Sequence, residues 1–189
     1  MRRTIWLSGL LLVVAGPALA HPGHEASGFL HPFSGLDHLL AMVGVGLWAA
    51  LLAERKPAIA VLVPGAFLVM MAIGAAAGFS GIKLPLAEAA ILASIFVIGG
   101  LIIGAVRLPV AWAMGAVGLF ATFHGYAHAL EAPSTGTAAY ILGFLAATAL
   151  LQAVGLALGW GVNRAVGTLG VRALGGVVVA AGALALVAQ

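Results

Sequence analysis

Cysteine is absent from this 189-residue chain, so no disulfide framework, thiolate metal site or cysteine nucleophile can be built from it. Charge is scarce as well: Asp, Glu, Lys and Arg make up 7% of the residues, against 63% hydrophobic. A soluble domain carries about a quarter charged residues, and that class is excluded. The 8 basic residues are scattered and leave a formal net charge of only +3. No basic patch exists to neutralise a phosphate backbone, so nucleic acid is not an expected partner. A Gly-x4-Gly-Lys-Ser/Thr phosphate loop is missing too, which excludes ATP hydrolysis by that device.

What the chain has in abundance is apolar length. Six segments, at about 36–53, 57–79, 86–106, 110–130, 138–160 and 171–188, are each long enough to cross a hydrocarbon core of ~30 Å as a helix. Short polar breaks divide them: 54–56, 80–85, 107–109, 131–137 and 161–170, the last with Arg172 just beyond. Ahead of the first segment lie a basic pair (Arg2, Arg3), an apolar core from Ile5 to Val14, and the small-residue stretch Ala18-Leu19-Ala20. These are the three parts of a secretory signal. The expected organisation is therefore a cleavable signal peptide at 1–20, an external histidine-containing arm at 21–35, and an all-α, polytopic bundle of six transmembrane helices at 36–189.

Charge placement sets an expected orientation. With the mature N-terminus outside the cytoplasm, the first, third and fifth breaks face the cytoplasm and carry Arg55, Lys56, Arg107, Arg164 and Arg172, while the external breaks hold only Lys83. Every histidine then falls at or near the external face, as do Glu25, Asp37, Glu88 and Glu131. Asp37 and His38 open the first span; His124, His128 and Glu131 close the fourth. His124 and His128 lie one turn apart on one helical face, with Glu131 three residues further on. Two distant clusters of ligand-type residues are thus expected at one depth.

Ionisable side chains at membrane depth are costly and mark function by default. Imidazoles with carboxylates and no thiolate suit a divalent ion of intermediate softness: nickel, cobalt or zinc. Coordination needs neutral imidazole, so capture is expected to weaken as pH drops toward ~6. Pro32 disfavours helix at His31, and Ser34-Gly35-Leu36-Asp37 has the form of a capping box, so the first helix is expected to start near Ser34 with Asp37 on its first turn. The mature N-terminus would carry His21, His24 and Glu25 as a chelating arm. Glu88, early in the third span, is an auxiliary ligand by depth alone. Met70, Met71 and Met114 read as apolar fillers, and Ser94, Thr122, Thr148 and Gln152 as the few polar groups available to a path. Pro64 is expected to interrupt the second span. The alternative class is an intramembrane hydrolase, either using Ser80 of "GFSG" with a histidine base or using the metal cluster to activate water.

"HPFSGLDH" carries a His-x5-Asp-His pattern as His31, Asp37 and His38, and "FHGYAHALE" forms a second signature from Phe123 to Glu131. Together, and at the spans where they occur, these motifs resemble the HupE/UreJ family of nickel and cobalt permeases over essentially the whole chain. The resemblance implies metal-site roles for His31, Asp37, His38, His124, His128 and Glu131. It further implies a non-enzymatic permease of the bacterial inner membrane that carries Ni2+ or Co2+ as transported substrate, with no permanently bound cofactor. The cytoplasmic recipients it implies are hydrogenase or urease maturation proteins. Ala129 departs from the family pattern, which has glycine there, and adds a methyl group beside the site.

Overall fold

The computed structural model describes residues 28–187, and among them all regular structure is helical. A four-residue turn, α1 (His31–Ser34), precedes α2 (Leu36–Ala53), α3 (Ile59–Phe79), α4 (Ala87–Ile103), α5 (Val110–Leu130), α6 (Thr137–Val166) and α7 (Thr168–Val187). Four of these, α2, α3, α6 and α7, are long and apolar enough to cross a membrane. Helix α4 is apolar but has 17 residues, and α5 has 21 residues with polar His124, Tyr126 and His128 near its end. The chain is a helical membrane bundle, and side chains such as Val61, Trp112, Leu142 and Leu119 stand outward, as lipid-facing residues must.

Helix α2 is the central element. It is apolar on every side, and nearly all of it from His38 to Ala53 is buried against α3, α4, α6 and α7. A helix without a polar face has to be enclosed in this way. Glycine permits the closest approaches. Gly46 of α2 rests on the Gln152 and Leu156 backbone, and Gly155 of α6 rests on Val43, so α2 and α6 touch main chain to main chain and run parallel. Helices α3 and α5 meet the same way, Gly74 at Thr122 and Gly125 at Met71. The sequence holds three G-x-x-x-G pairs, Gly74/Gly78, Gly100/Gly104 and Gly155/Gly159; the first and last serve close helix contacts, whereas Gly100 meets nothing within 4 Å.

Three local expectations are corrected. The break expected at 161–170 shrinks to Gly167 (φ 76°), because 161–166 continue α6 in helical geometry and only a left-handed φ turns the chain. Pro64 does not interrupt its span: α3 is continuous from Ile59 to Phe79 with Pro64 inside its second turn, where proline withholds one backbone hydrogen bond without ending the helix. His31 is helical rather than extended, since Pro32 occupies the first turn of α1, where a missing N–H costs nothing.

Candidate metal centre

The capping box does not form. Ser34 Oγ donates to His31 O (2.6 Å) within α1, Gly35 takes the cap position of α2 with extended geometry, and Asp37 turns to its neighbour. Asp37 Oδ1 accepts from the His38 backbone N–H (2.8 Å) and from His38 Nδ1 (2.9 Å). A carboxylate can only accept, so Nδ1 of His38 carries the proton and Nε2 keeps its lone pair. On α5, His124 Nδ1 donates to the Phe120 carbonyl (2.9 Å), one turn back, and again leaves Nε2 as the free acceptor. On α1, His31 Nε2 donates to Glu131 Oε2 (2.7 Å), tying the first motif to the second across the bundle. That hydrogen bond outweighs the effect of burial and holds the Glu131 carboxyl below its ordinary pKa.

Four imidazoles from three elements form one continuous cluster. Ring centroids are 5.0 Å apart for His31 and His128, 4.8 Å for His38 and His128, and 5.2 Å for His38 and His124. These spacings bring the rings side by side, although the ligand atoms of His38 and His124 do not join those of His128 in one close set. Ligand atoms of His31, His128 and Glu131 all lie within 4.8 Å of one another. Exposure falls along the series: the Glu131 side chain is 51% exposed, that of His31 21%, and His128 and His124 are fully buried.

The electrostatic state of the cluster is unusual. His38 Nε2, His124 Nε2 and both nitrogens of His128 are buried without a hydrogen-bond partner, although a buried polar atom left unpaired costs about 1–3 kcal/mol. For His38 and His124 the pattern matches a metal ligand's outer shell, in which the second ring nitrogen donates to a carboxylate or carbonyl and so fixes the first toward an ion. A cleft of about 650 Å³ beside the cluster is lined by Asp37, His38, Glu88 and Glu131, with apolar residues of α4 and α5. Glu88 therefore faces the same cleft as the ligand-type residues, with no hydrogen bond to any of them. His21 and His24 lie outside the described residues. Ser80 sits at the end of α3 and donates its hydroxyl to the Ala76 carbonyl (2.8 Å), not to a histidine.

Sequence reading missed the walls of the cluster. Phe144 stacks on His128 (4.7 Å, 10° between planes), Tyr140 lies 5.9 Å from His31, and Phe67 of α3 lies 5.7 Å from His124. The signal was present in α6, where Tyr140 and Phe144 are one turn apart on one face. The extra methyl of Ala129 is accommodated by Gly78 of α3, since a Cβ at that glycine would lie 2.7 Å from it.

The family model described as HupE / UreJ protein matches residues 9–185. Protein HupE of Rhizobium leguminosarum bv. viciae is 42% identical over 184 residues, covering 94% of this chain and 95% of that protein. No solved structure matches.

Proposed function

This chain belongs to the HupE / UreJ family, and from that premise we propose that it is a nickel permease, also admitting cobalt, which carries the ion from the periplasmic side to the cytoplasm. His38, His124 and His128 are the primary ligands, His31 the ligand at the entrance, and Asp37 and Glu131 the carboxylates that orient His38 and His31. The observation that carries this reading is the set of buried, unpartnered imidazole nitrogens on His38, His124 and His128.

The working form has six membrane-crossing helices, α2 to α7, preceded by a signal peptide removed after Ala20 and an external arm at 21–35 in which His21 and His24 collect metal. Arg55, Lys56, Arg107, Arg164 and Arg172 belong to the end of the bundle opposite the histidines, which supports an inner-membrane protein with its histidine end outside. Lining the cleft with Asp37, Glu88 and Glu131 raises the local concentration of cations. Ligation proceeds stepwise: Glu131 and His31 meet the hydrated ion, His128 and His38 replace its water, and His124 receives it at full burial. No bond to substrate is made or broken, so the protein is not an enzyme, and nickel is cargo for the maturation of a nickel enzyme in the cytoplasm.

Vesicles containing the full chain, loaded with radiolabelled nickel from outside in the presence of competing Co2+ or Zn2+, test this directly. Nickel accumulation, suppressed by Co2+ and reduced at least tenfold by His38→Ala, is the expected result. Equal accumulation by the wild-type and His38→Ala chains would overturn the assignment.

A further inference from the structure

The face of α6 that walls the histidine cluster continues inward. Tyr140 and Phe144 contact His31 and His128, and the next two members at four-residue steps are Thr148 and Gln152, both fully buried. Each step is about 6 Å along the helix axis. On the parallel helix α2, Met42 stands one turn deeper than His38, and on α3 Met71 lies where Gly125 of α5 lets the backbones touch, next to His124. These side chains converge. Thr148 Oγ1 is 3.3 Å from Met42 Sδ and 3.6 Å from Met71 Sδ, so two thioether sulfurs from different helices face one hydroxyl, whose single proton serves only one of them at a time.

Gln152, one turn beyond Thr148, has both amide atoms buried and unpartnered. Leucine would fill that volume without stranding two polar atoms, each costing about 1–3 kcal/mol. Among the described residues, every other buried side-chain nitrogen or oxygen without a partner belongs to His38, His124, His128 or Tyr140. On α6 the two residues with unsatisfied atoms, Tyr140 and Gln152, share this face, the first beside the histidine cluster and the second one turn beyond Thr148.

We infer that Met42, Met71, Thr148 and Gln152 form a second cation station, deeper than the histidines and built wholly from uncharged donors. It rests on the permease reading: the ion leaves His38 and His124 for two thioether sulfurs, a hydroxyl oxygen and an amide oxygen. Thioether donors favour late, softer transition-metal ions over Mg2+ or Ca2+. Donors without charge hold a divalent ion less tightly than imidazole supported by carboxylate. Such a station spares the departing ion a passage through bare apolar core, and donors this weak release it onward, as a multi-site path requires.

The test uses the full chain reconstituted in vesicles, with Ni2+ as the probe, comparing the wild type with Met42→Leu/Met71→Leu and with Gln152→Leu. Leucine for methionine conserves volume and is well tolerated in a packed core. Both variants are expected to bind nickel at the histidine cluster with affinity within threefold of wild type while their initial uptake rates fall at least tenfold. Nickel-edge X-ray absorption at saturating metal gives an independent reading on the wild type alone: the chain has no cysteine, so a sulfur neighbour of nickel can only be methionine. Uptake by the leucine pair within twofold of wild type, or a saturated wild-type spectrum without sulfur, overturns the station and leaves the permease standing. Absence of nickel uptake by the wild type removes both.

Discussion

The two ends of this bundle treat polar atoms in opposite ways. At the end opposite the histidines, Glu54 closes α2 and spends both carboxylate oxygens, one on Arg107 from the loop before α5 and one on Asn163 Nδ2 of α6 (2.8 Å). Thr168 of α7 donates to Asn163 Oδ1 (3.3 Å), Arg172 Nε to Ile103 O (2.6 Å), and Trp48 Nε1 to Val106 O (2.9 Å). Each of these groups has a partner within the chain. At the histidine end, four buried ring nitrogens, one each on His38 and His124 and both on His128, have none. The Glu54 end is built to hold helices together; the histidine end is left unsatisfied, in the form a ligand can complete.

The contrast is broken most sharply by His128→Ala, which removes the ring between His31 and His38. Nickel affinity should fall at least a hundredfold by calorimetry while the thermal midpoint stays within a few degrees, because the substitution also deletes two unpartnered buried atoms. Next comes Asp37→Asn, which keeps the shape but replaces the carboxylate that orients His38. Loss of such an outer-shell partner costs about 10–100-fold in metal affinity, and a change within twofold would make Asp37 a structural residue only.

Acidification is a milder probe. Imidazole must be neutral to ligate, so affinity should decline several-fold as pH falls from about 7.5 to 6. Glu131 does not contribute in that window. Its folded pKa lies below the ordinary carboxylate value, so the stability of its link to His31 is present above that ordinary value and is lost only as pH falls through the depressed one. The Glu131→Gln chain should therefore show the same decline between pH 7.5 and 6. The smallest effect on binding belongs to Glu54→Gln, which should cost about 1 kcal/mol of stability, seen as a lower thermal midpoint, and leave nickel affinity within twofold.

How far the sequence reached follows the same division. The motif residues His31, Asp37, His38, His124, His128 and Glu131 were legible because ionisable groups stand out against apolar spans, and helical spacing alone put His124 and His128 on one face. The partnership of His31 with Glu131 was not, since it joins residues 100 positions apart through a turn that Pro32 seemed to forbid. The Glu54 network was hidden for a related reason: a short Glu-Arg-Lys break reads as a solvated turn until its partners in the loop before α5 and on α6 are known. Thr148 and Gln152 were visible as polar residues, but the convergence of Met42 and Met71 on Thr148 depends on glycine contacts that no periodicity reports.

Helix α2 carries His38 near one terminus and Glu54 just past the other, about 25 Å apart at 1.5 Å per residue. Enclosed by neighbours along almost its whole length, it behaves as a stiff rod clamped in a sleeve. A tug on its upper tip is resisted at the lower one, so the Glu54 clasp helps to fix the height of His38 from the far end of the bundle.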